Sequence, residues 1–77
     1  MSVLEKKAMN DLKWNYNYNL RRYINGCNHL NKNKKDIKKW LPELISVLEN
    51  MNLILEEILK YEELDHESIL RGFDIKE

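Results

Sequence analysis

Trp14 and Tyr18 stand four residues apart, in a stretch that also holds Lys7, Arg21 and Arg22. On a helix a four-residue step returns to nearly the same face, so the two rings and the cations share one surface. Rings stack on unpaired bases or fill pockets in a protein, while cations neutralise phosphates or carboxylates. The chemistry on offer is recognition, with no bond made or broken. A second cluster follows, with Lys32, Lys34, Lys35, Lys38 and Lys39 close together in a polar stretch. Such a patch can contact phosphates and extend the Arg21/Arg22 surface. The first reading is a protein partner held by Lys7, Trp14, Tyr18, Arg21 and Arg22. The alternative is a nucleic acid held by that surface together with the lysine loop.

Cys27, His29, Glu62, Asp65 and His66 are the residues able to build a soft metal site. Zinc requires four converging ligands, usually in closely spaced pairs, and Cys27-Asn28-His29 is one pair without a second. No metal and no cofactor is expected. His66-Glu67 lacks the second histidine of a zinc-protease helix, no Ser, His and acid are spaced for nucleophilic attack, and no glycine-rich phosphate loop occurs. The expected protein is not an enzyme. Cys27 itself falls on an apolar stripe, where a buried thiol is ordinary.

These residues need elements to hold them. A chain of 77 residues makes a single domain, 1–77, with a core so small that a second subunit is a natural source of stability. Leu, Glu, Lys and Ile are frequent, and the breakers are Gly26, Gly72 and Pro42, so the expected fold class is all-α. A first helix is predicted over about 3–30, opened by a Ser2/Glu5 capping box. Its core stripe is Met9, Leu12, Tyr16, Leu20, Tyr23, Ile24, Cys27 and Leu30. It should end near Gly26 and the asparagines that follow, with the last turns kept if Cys27 and Leu30 hold the period. A basic loop then spans 31–39.

The second helix is predicted over about 42–63, because Pro42 disfavours a helical Leu41 and suits a first turn. Leu41, Leu44, Leu48, Met51, Leu55 and Ile58 form a heptad seam continuing from Ile37, flanked by Trp40, Val47, Ile54 and Tyr61. Glu43, Glu49, Glu56, Glu57 and Glu63 make the opposite face acidic. A short third helix over about 66–71 follows, with Asp65 as N-cap and Gly72 as its stop, then a tail over 72–77. Ile69, Leu70, Phe73 and Ile75 are the apolar residues of that last segment.

Two long helices joined by a short loop make an antiparallel hairpin, and the wide apolar face of the second exceeds what the first can cover. The expected closure is a homodimer forming a helical bundle, capped by the short helices. Charge supports pairing within it. Residues 1–40 carry ten Lys/Arg against three acids, and residues 41–77 carry three against ten, so a net charge of zero conceals a basic and an acidic half. No apolar run reaches the roughly 18 residues that cross a bilayer, and no leader-like segment opens the chain, so a cytoplasmic protein without membrane contact is expected. Ten asparagines, with many Lys and Ile, suggest an AT-rich genome and a phage or mobile element as source.

Overall fold

The computed structural model describes residues 3–75, with side chains from Glu5 onward, so the Ser2 half of the expected capping box lies outside the described residues. Three α-helices account for most of them: α1 (Val3–Lys32), α2 (Ile37–Leu59) and α3 (His66–Arg71), with a 3₁₀ turn at Lys34–Asp36 between the first two. The fold is all-α, and there is no strand among the described residues.

α1 runs two residues past the expected end because Gly26 lies inside it, buried against α2. A Cβ at position 26 would stand 2.5 Å from Leu44 Cδ2. The glycine therefore marks a close approach of the two helices, and the helix passes through it unbroken.

The expected loop over 31–39 is shorter than predicted, and α2 begins at Ile37 with Pro42 inside it. Tertiary contacts at the hairpin tip account for the difference. The Asp36 amide donates to the Asn33 carbonyl at 3.1 Å, and His29 Nε2 meets Asp36 Oδ2 at 2.9 Å. The His29 ring lies 4.9 Å from that of Trp40. These anchors hold the turn that precedes Pro42 in helical form, and the proline removes a single backbone donor near the start of the helix. At the other end α2 stops at Leu59 instead of about 63. The Tyr61 and Glu62 amides both close on the Ile58 carbonyl, at 3.0 and 3.1 Å, in a tightened last turn.

α1 and α2 lie side by side in opposite directions: Lys13 meets Glu62 at 2.9 Å and Arg22 meets Glu43 at 2.8 Å. Tyr16, Leu20, Val47 and Met51 form the core, with Tyr23, Ile54, Leu55 and Phe73 packed on it. Met9, Leu44 and Ile58 extend the buried row along the helices. α3 and the chain after it lie on one flank of this pair. Asp65 caps α3 by accepting from the Glu67 amide at 3.4 Å, and Gly72, at φ 101°, ends it.

α3 is held by α1. The Tyr16 hydroxyl donates to the Ile69 carbonyl at 2.5 Å, Asn17 Nδ2 donates to the Phe73 carbonyl at 2.8 Å, and the Phe73 amide donates to Asn17 Oδ1 at 2.6 Å. Phe73 meets the Tyr16 ring edge-on, with centroids 5.2 Å apart. The molecule is long and thin, 49 × 19 × 18 Å, with a radius of gyration of 14.3 Å. A compact chain of this length would have about 11.5 Å.

Candidate functional site

Trp14 and Tyr18 face outward from α1, 59% and 62% exposed. Lys7 and Arg21 are exposed in the same helix. Arg22 is engaged elsewhere. Its guanidinium bonds Glu43 of α2 and sits 5.8 Å from the Tyr18 ring centroid, so it bridges the outer face and the helix pair. The aromatic pair and the lysine tip do not merge into one surface. Trp14 and Lys32 are separated by eighteen residues of continuous helix, which spans about 27 Å.

At the tip, Lys32, Lys34, Lys35, Lys38 and Lys39 are all exposed, and none has an ion pair among the described residues. The nearest acid, Asp36, is taken by His29. Charge therefore sorts along the long axis of the molecule. The tip half, residues 21–45, holds seven Lys/Arg (Arg21, Arg22 and the five lysines) against Asp36 and Glu43, a net +5. The remaining described residues, 3–20 and 46–75, hold five bases against ten acids, a net −5. The expected pairing of the two halves across the helices rests on Lys13–Glu62 and Arg22–Glu43, while Glu49 and Glu56 point to solvent.

The seam residues of α2 divide by position. Leu44, Met51 and Ile58 are buried against α1, together with Val47 from the flanking row. Leu55 is half-buried and packs on the core alongside Phe73. Leu41 and Leu48, two heptads and one heptad before Leu55 in the same row, are 46% and 38% exposed. A single facing helix covers one row and leaves the next one half-buried at Leu55 and exposed at Leu48 and Leu41.

The uncovered part is an open apolar groove of about 290 Å³, with Tyr23, Cys27 and Leu30 of α1 on one wall and Leu41, Ile45 and Leu48 of α2 on the other. Apart from Leu48, its lining lies in the basic half. Arg71, at the end of α3, lines a separate cleft with Asn17, Leu20, Arg21 and Ile24. Ile45 was absent from the seam and its flanking row, although Leu41, Ile45 and Leu48 follow the four-then-three step of a helical stripe. That step was the available signal.

A second recess, about 400 Å³, lies at the opposite end. Ala8, Met9 and Leu12 line its apolar floor, with Glu5, Asp11 and Glu57 among its polar residues. The possible metal ligands do not converge. His29 is paired with Asp36, Cys27 lies in the apolar groove, and no group of three or more His, Cys, Asp or Glu is placed to hold a metal ion among the described residues. No helix is long and apolar enough to cross a membrane among the described residues. The Cys27 thiol beside Tyr23 pushes its phenol above the usual range, first as a hydrogen-bond partner and then by its charge once ionised, with burial adding to both.

Comparison with protein-family models, with curated proteins and with solved structures finds no match for this chain.

Proposed function

We propose that this chain is a non-enzymatic helical interaction protein whose partner is another protein. The observation that carries this reading is the open apolar groove between α1 and α2. A compact monomer of 9.4 kDa exposes about 5,000 Å², whereas this one exposes 6311 Å². The clustered exposed side chains include Leu41, Ile45 and Leu48, the apolar type that a partner buries with gain. Trp14, Tyr18, Lys7 and Arg21 offer a second contact on the outer face of α1. The test is a pull-down from the native host, read by mass spectrometry, comparing wild type with Ile45→Glu and with Trp14→Ala/Tyr18→Ala. The reading requires a protein that survives nuclease treatment and disappears in at least one variant. A partner retained by both variants defeats it.

A second reading, nucleic-acid binding, is favoured by one observation: the five tip lysines have no ion pairs among the described residues. Phosphate binding there releases counterions, so affinity must fall steeply as salt rises. Duplex binding that persists at physiological salt and disappears when Lys34, Lys35 and Lys38 become Glu supports it. Binding lost already at physiological salt reduces it to nonspecific attraction.

A further inference from the structure

We infer that the groove takes an amphipathic helix of a partner protein whose flanks are acidic. The inference rests on the protein-partner reading and supplies the chemistry of that partner. Three features converge on it. The groove has two parallel apolar walls, Tyr23, Cys27 and Leu30 against Leu41, Ile45 and Leu48, and a helix presenting one residue in every three or four fills such a channel. The α2 row that lines the groove runs on to Leu55, seven residues after Leu48, which the molecule packs on its own core as it does Phe73. Apart from Leu48, the lining of the groove also belongs to the half of the molecule that carries net +5, with Lys38 one turn before Leu41.

Charge selects among the candidates for that channel. A neutral apolar helix leaves the surrounding lysines unanswered, a basic one is repelled, and an acidic one is drawn in and oriented. A second copy of this chain is a poorer occupant. Two copies meeting groove to groove bring their basic halves together, whether the long axes run parallel or opposed, because the groove sits near one end of each. A foreign helix brings no second basic half with it.

The experiment uses the full chain and two synthetic helical peptides of about 18 residues, long enough to form a helix on contact. Both carry Leu in a three–four repeat; one has Glu at the remaining positions and the other Lys. Fluorescence anisotropy at low salt should show the Glu peptide bound at least about tenfold more tightly than the Lys peptide, with the gap shrinking as salt screens the rim. Leu48→Glu should abolish binding of the Glu peptide. Should Leu48→Glu unfold, Ile45→Glu, at a position 47% exposed, serves in its place. Equal affinity for both peptides overturns the inference, and so does binding that ignores both groove substitutions. Light scattering that gives twice the chain mass in wild type and a monomer in Ile45→Glu assigns the groove to a second copy and overturns it as well. If neither peptide binds while the host partner is still lost in Ile45→Glu, the acidic chemistry falls and the interaction reading stands. If Ile45→Glu and Trp14→Ala/Tyr18→Ala both leave the host partner bound, the interaction reading falls with it.

Discussion

Tyr16 joins the two ends of the chain: its ring is fully buried and its hydroxyl is donated to the Ile69 carbonyl. Burial pushes its phenol above the usual value of 10.0. A group whose pKa is raised by folding contributes stability that is whole below the unfolded pKa and is lost as pH rises through the folded one. The melting temperature should therefore fall on the alkaline side of about pH 10, with Tyr23 adding to the slope. Tyr16→Phe should flatten that fall and cost about 1 kcal/mol near neutral pH, since the Ile69 carbonyl loses its donor. Melts across this range check both, and an unchanged alkaline limb in the variant assigns the effect elsewhere. Gly26 makes a second prediction at this scale. Alanine is the better helix former by up to about 1 kcal/mol, but its Cβ would meet Leu44 Cδ2 at 2.5 Å. Repacking a buried leucine costs about 1–3 kcal/mol. Gly26→Ala should thus lower stability by about 1 kcal/mol, or a melting temperature drop of about 4–8 °C in a domain this small. A gain in stability would show that Leu44 moves aside freely.

Among the elements, α3 depends most on its neighbours. Six residues cannot hold a helix in water without tertiary contacts, and Asn17 supplies them by pairing with both backbone polar groups of Phe73. Asn17→Ala should cost about 2 kcal/mol from the two lost hydrogen bonds and leave the Ile69 and Gly72 amides open to hydrogen exchange. Asn17→Asp, which keeps the acceptor and loses the donor, should fall between. Protection of those amides in Asn17→Ala would refute the latch. The element scale also shows where sequence rules reach their limit. Asp65 and Gly72 were legible as the ends of α3 because capping and positive φ are local properties. The start of α2 was not, because the local preference at Pro42 was outweighed by contacts of His29 with Asp36 and Trp40, which no window of neighbouring residues contains.

At the scale of the whole molecule, the charges form an axial dipole and the aromatic pair stands apart from it. Trp14 and Tyr18 lie outside the core, with the Arg22 guanidinium 5.8 Å from the Tyr18 ring centroid. Replacing both by Ala should leave helicity unchanged and shift stability by less than about 0.5 kcal/mol, as for other surface substitutions. Circular dichroism melts decide this. A drop of several degrees would place the pair in a packed interface, as expected if two copies form a bundle around it.

Composition and periodicity determined the all-α class, the core-facing rows Tyr16–Leu20 and Leu44–Met51–Ile58, the ends of α3 and the lysine-rich turn. Each depends on residues within a few positions of one another, and a 100° step fixes which side chains share a face. Only the tertiary structure decided that Gly26 is the point where α1 and α2 approach closely, that α2 begins before Pro42, that charge segregates along the axis, and that Leu41, Ile45 and Leu48 remain open while Leu55 is half-buried. Those outcomes depend on contacts such as Asn17 with Phe73, 56 positions apart, whose energy is set by the meeting of whole elements and leaves no periodic trace in the chain.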